Sequence, residues 1–131
     1  MREPRDAFHL AIPARDLDEA QEFYSELGCK IARRYDDRVT MDFFGDQIVC
    51  HLSDEYEREP TLYPRHFGVT FAHIEDFQAL CRLVELRKIP VFRAVGSRFE
   101  GLAEEHQTVV LRDPSNNLIE FKHYVDSRLL Y

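Results

Sequence analysis

A chain of 131 residues with 44% hydrophobic content, including ten Phe and six Tyr, has material for one globular core. Its 24 acidic against 17 basic side chains give a formal charge of −7, which repels nucleic-acid phosphates and anionic lipid headgroups. No apolar run approaches the ~18 residues that a membrane-spanning helix needs, and MREPRDAF lacks the apolar core of a signal peptide, so a cytoplasmic location without a nucleic-acid or membrane partner is expected. Cys29, Cys50 and Cys81 are odd in number and lack CxxC spacing, which suits reduced thiols better than a disulfide framework or a thiolate zinc site.

In chain order, the first element is a short strand around His9. It passes through a polar turn into a helix that begins near Asp16, whose carboxylate can cap free backbone N–H groups while Glu19 completes a capping box. Leu17, Ala20, Phe23, Tyr24 and Leu27 recur at helical spacing, and Gly28 follows where a left-handed residue ends a helix. Three strands are expected next, over Lys30–Tyr35, Val39–Phe44 and Gln47–Leu52, with turns at Asp36-Asp37 and Gly45-Asp46. Ser53–Pro64, charged and with two prolines, reads as an exposed connector.

The pattern then repeats. FHLAIPARDLDEAQEFYSEL, from Phe8, lies over RHFGVTFAHIEDFQALCRLV, from Arg65, at a constant offset of 57 without a gap. The second half opens with a strand carrying His66, and His73 is placed as the cap of a helix buried through Ile74, Phe77, Leu80, Cys81 and Val84. Strands follow at Val91–Ala94, Thr108–Arg112 and Leu118–Tyr124, with Val95–His106 as a mobile loop that contains His106. The whole is one α+β domain over residues 1–131. It has two βαβββ modules, at about 5–53 and 64–125, that form a curved mixed sheet with helices on its outer face.

Side chains alternate faces along a strand, and parity sorts the polar residues. Phe67, Val69 and Phe71 oppose His66; Leu10 and Ile12 oppose His9; Ile119 and Phe121 oppose Glu120; Cys50 and Leu52 oppose His51. All four polar residues thus point away from the helix layer, whereas His123 has the helix-facing parity. His9 and His66 open their modules, while His51 and Glu120 lie in the closing strands, so the two modules can bring all four around one centre. Imidazoles with a carboxylate suit iron, manganese, nickel, cobalt or zinc. The bland reading of Glu120 is an ion pair with Lys122.

FHLAIPARDLDEAQEFYSELGCK, VCHLS, RHFGVTF and LRDPSNNLIEFKHY resemble the vicinal oxygen chelate superfamily, also called the glyoxalase/bleomycin-resistance/dioxygenase superfamily, over nearly the whole chain. The resemblance implies a metal-binding cup with ligands His9, His66 and Glu120, and His51 where glyoxalase-like members place a carboxylate, as a fourth ligand or a catalytic base. It implies a divalent metal, a small-molecule substrate chelated through vicinal oxygens, a homodimer, and either ring-cleaving dioxygenase or glyoxalase-like lyase or isomerase chemistry. Arg98 and Tyr63 are the expected substrate contacts. The alternative is a metal-free drug-binding protein of the bleomycin-resistance kind.

Overall fold

In the computed structural model, which describes residues 1–131, one unit comprises Met1–Arg58 with Pro114–Asn117 and the other Glu59–Asp113 with Leu118–Tyr131. The first contains β1 (His9–Ala14), α1 (Leu17–Glu26), β2 (Lys30–Arg34), β3 (Arg38–Phe43) and β4 (Asp46–Leu52), in sheet order β1-β4-β3-β2. β1 runs parallel to β4, and the other pairs are antiparallel.

Asp16 caps α1 as expected, its Oδ1 accepting the Asp18 and Glu19 N–H groups at 2.8 and 3.0 Å. Glu19 does not close a capping box. Both its oxygens accept from the Arg15 guanidinium, at 2.8 and 3.1 Å, a charge-assisted pair that outcompetes one backbone N–H. Leu17, Ala20, Phe23 and Tyr24 form the buried stripe of α1, and the Tyr24 ring meets Phe43 of β3 edge-on at 6.5 Å. The β3–β4 turn is Phe44-Gly45, one residue earlier than expected. Both residues have positive φ, 54° and 98°, as a two-residue type I′ hairpin requires.

The DPSNN turn earns its place in this unit through three side chains. Ser115 Oγ accepts the Arg15 N–H at 2.9 Å, Asn117 Nδ2 donates to the Pro13 carbonyl at 2.9 Å, and Asn116 Nδ2 donates to the Glu57 carbonyl at 2.9 Å. They satisfy backbone groups at the end of β1 and in the connector.

The second unit contains β5 (Phe67–Thr70), α2 (Ile74–Leu86), β6 (Val91–Arg98), β7 (His106–Arg112) and β8 (Leu118–Tyr124), in order β5-β8-β7-β6 with β5 and β8 parallel. Phe77, Leu80 and Val84 of α2 are buried on the sheet face that carries Val109, Leu111, Ile119 and Phe121, and Phe71 stacks on Phe121 at 5.9 Å. Each unit therefore repeats a βαβββ pattern on its own four-stranded mixed sheet, an α+β arrangement.

A third of the expected loop Val95–His106 is strand, because β6 continues to Arg98 through two register shifts that hide its periodicity. His106 opens β7 and is buried rather than lying in a loop. His73 occupies the N-cap of α2 without a side-chain cap hydrogen bond. The connector is also not wholly exposed, since Leu62 is buried with Val110 and Leu118 on the helix-free face. No helix is long and apolar enough to cross a membrane.

Candidate metal centre

The site in the second unit follows from the β5–β8 register. Gly68 stands opposite Glu120, and the strands approach so closely that a Cβ at Gly68 would collide with the Glu120 carbonyl oxygen and stand 2.6 Å from its carbon. Only glycine fits that position. His66, two residues earlier, shares the face of Gly68, and its Nε2 lies 3.1 Å from Glu120 Oε2.

Both partners are held from behind. His66 Nδ1 lies 2.8 Å from the Leu62 carbonyl, which can only accept, so Nδ1 carries a proton and Nε2 is the nitrogen left to face Glu120. Glu120 is buried, and its other oxygen accepts from the buried Thr108 hydroxyl at 2.7 Å. The ring of Tyr63 packs edge-on against His66, centroids 5.7 Å apart. Lys122 Nζ stands 3.9 Å from Glu120 Oε2, beyond hydrogen-bond reach, so the bland ion-pair reading gives Glu120 only a secondary partner.

Two acceptors facing each other across 3.1 Å need a cation between them, either a proton on the ring or a metal. An imidazole nitrogen and a carboxylate oxygen, with the opposite ring nitrogen pinned by a backbone carbonyl, make a donor set that suits a transition metal and its usual outer support.

The first unit is arranged differently. His9 pairs with Gln47 and His51 with Pro13, so the two histidines are four residues apart in the β1–β4 register, about 13 Å at ~3.3 Å per residue. At the offset of 57, Gly68 matches Ala11, and Ala11 pairs with Val49. Val49, not His51, is thus the counterpart of Glu120, and His51 corresponds to Lys122. Both His9 and His51 are exposed, and neither unit assembles three or more His, Cys, Asp or Glu side chains into a metal-holding group.

Arg98 ends β6 opposite His106, on the sheet face that carries Thr108. Sequence reasoning missed Thr108 and the Leu62 carbonyl. Thr108 left a faint signal, a hydroxyl opening the apolar run VVL; a backbone carbonyl in an irregular connector leaves none. The cysteines offer no nucleophile in place of a metal. Burial, with Asp42 nearby, pushes the Cys29 thiol up to about 12, Cys50 is fully buried, and burial raises Cys81 as well.

The family model described as Glyoxalase/Bleomycin resistance protein/Dioxygenase superfamily matches residues 7–121. A crystal structure of a glyoxalase/bleomycin resistance protein/dioxygenase from Alicyclobacillus acidocaldarius is 61% identical, covers 100% of both chains and superposes with a TM-score of 0.96. A glyoxalase domain-containing protein of Mycosarcoma maydis is 25% identical over 95% of this chain and 71% of its own length. Two more distant structures share the fold: a lactoylglutathione lyase from Agrobacterium tumefaciens, 19% identical with a TM-score of 0.68 over 93% of this chain and 96% of that one, and a fosfomycin resistance protein from Listeria monocytogenes, 14% identical with a TM-score of 0.70 over 90% and 92%.

Proposed function

Because the chain belongs to the glyoxalase/bleomycin resistance protein/dioxygenase superfamily, we propose that it is a metal-dependent enzyme acting on a small substrate chelated through neighbouring oxygens. The observation that carries this reading is the His66–Glu120 pair, in which a part-buried imidazole meets a buried carboxylate at 3.1 Å with the His66 tautomer fixed by Leu62. In a metal-free drug-binding protein the same two side chains would form a plain ion pair through a proton on His66, and no metal would be taken up.

His66 and Glu120 would supply two ligands to a divalent iron, manganese, nickel, cobalt or zinc ion. His9, at the place in β1 that His66 holds before β5, would supply a third, from this chain or from a second copy in a homodimer. When bound, the metal supplies Lewis acidity toward the two substrate oxygens. The protein's own residues do the rest. Thr108 keeps Glu120 oriented, and Leu62 both pins His66 and helps exclude water from the Val110–Leu118 end of the face. His51 stands two residues beyond the carboxylate-equivalent Val49, so we assign it proton transfer to or from the substrate rather than ligation.

Elemental analysis of protein purified without chelator tests the metal, and a screen of catechols and glutathione hemithioacetals in air and under nitrogen tests the reaction. Turnover that requires oxygen identifies a ring-cleaving dioxygenase; turnover under nitrogen identifies a lyase or isomerase. Metal content below about a tenth of an equivalent, with none taken up on addition, would remove the proposal.

A further inference from the structure

The face of the second sheet that carries Glu120 is closed at one end and open at the other. Leu62 covers Val110 and Leu118, all three buried, which fills that end of the face, while β7 and β8 continue past Glu120 in the other direction. In that direction the register sets two rows on the same face. Gly96, Thr108 and Lys122 form the first, and Arg98, His106 and Tyr124 the second. Along β8, Lys122 is about 7 Å and Tyr124 about 13 Å from Glu120 at ~3.3 Å per residue.

These rows hold two under-used cations in a chain whose net charge is −7. Lys122 is three-quarters buried, with its ammonium 5.6 Å from the centre of the Tyr124 ring and only the 3.9 Å contact to Glu120 for a counter-charge. Arg98 is half-buried, and its guanidinium has neither a carboxylate nor a hydrogen-bond acceptor; its charge rests over the Phe99 ring at 5.5 Å. A guanidinium with no acceptor inside the protein keeps its planar set of donors available to a ligand that supplies one. Space is left beside them. Gly96 has no left-handed φ, and a Cβ there would meet only the Ala94 carbonyl oxygen at 3.9 Å, so neither backbone nor packing excludes a side chain. The His106 ring contacts those of Phe99 and Tyr124, at 5.9 and 4.8 Å, and the three line the second row with aromatic surface.

We propose that Arg98 and Lys122 bind an anionic group, a carboxylate or phosphonate, on an organic substrate whose body lies along Gly96 and the Tyr124 ring. The inference deepens the proposed function and rests on it for the position of the reacting end. The anion would be read bidentately by Arg98 and as a point charge by Lys122.

The test uses the full-length protein, stripped of metal, with benzoate and phenylphosphonate as anionic probes and benzamide as the neutral comparison, followed by the NMR shifts of His106 and Tyr124. Both anions should bind roughly tenfold or more tightly than benzamide, and Arg98→Gln and Lys122→Gln should each weaken them by about that factor, the size expected for one charge-assisted contact. Arg82→Gln, on the exposed side of α2, should change nothing. Arg98→Gln removes no internal hydrogen bond, so a folding defect does not blur its result. Equal binding of benzamide and benzoate, or full anion affinity in Arg98→Gln, would overturn the proposal. Because no metal is present, failure of metal uptake would sink the functional reading without touching this outcome, and the reverse holds too.

Discussion

Replacing Thr108 with valine removes one oxygen from the second unit and almost nothing else, since the two side chains are nearly isosteric and both favour strands. The lost oxygen donates to Glu120 Oε1 at 2.7 Å, and both residues are buried. A hydrogen bond to a charged group contributes roughly 1.5–3 kcal/mol, and the acceptor left behind is shielded from water that could replace it, so Thr108→Val should cost about 2 kcal/mol. With a urea slope of about 1.5 kcal/mol/M, suitable for a small domain, the unfolding midpoint of metal-free protein should fall by about 1.3 M at unchanged slope. The double variant Thr108→Val/Glu120→Gln should be more stable than the sum of the single effects by about 1 kcal/mol, because the second change removes the charge that the first left unsupported. A midpoint shift under about 0.3 M, or additive single and double effects, would show that Thr108 does not support Glu120.

Three further outcomes follow from local geometry. Gly68→Ala should lose at least about 2 kcal/mol in urea unfolding, because its Cβ meets the Glu120 backbone, whereas Gly96→Ala should stay within about 0.5 kcal/mol. Asp16→Ala should cost about 1 kcal/mol through the loss of its two cap hydrogen bonds, readable as a lower melting temperature. A Cys29 pKa raised from 9.0 to about 12 lowers its thiolate fraction at pH 8 by roughly a thousandfold, so iodoacetamide should leave Cys29 unmodified in the folded protein and label it in urea, as read by peptide mass spectrometry.

The repeat, both helices and the class of the fold were legible because each rests on local rules: the Asp16 cap, the left-handed Gly28 and a clean buried stripe. β6 was cut short because two register shifts break its alternation between Val91 and Gly96. Glu120 stood out as a carboxylate between Ile119 and Phe121, and His66 as the partner of His9 in the repeat. Their closeness was less accessible, since it depends on the β5–β8 register and on a backbone approach that only the structure displays. His51 shows the limit of parity. It lies on the same side as Val49, but two residues beyond it, and parity cannot tell one row from the next. The sequence pattern around Arg98 and Tyr63 carries little positional information; the structure sets Tyr63 against His66 and Arg98 opposite His106.

Zinc titration followed by nitrogen-15 NMR of the histidine rings addresses the centre of the account. Saturation at one zinc per chain should move His66 Nε2 to the coordinated range while Nδ1 keeps its proton on the Leu62 carbonyl, and Glu120→Gln should weaken uptake by about tenfold or more. Zinc that binds while the His66 ring resonances stay where they were, or no zinc binding at all, would contradict a metal centre built on His66 and Glu120.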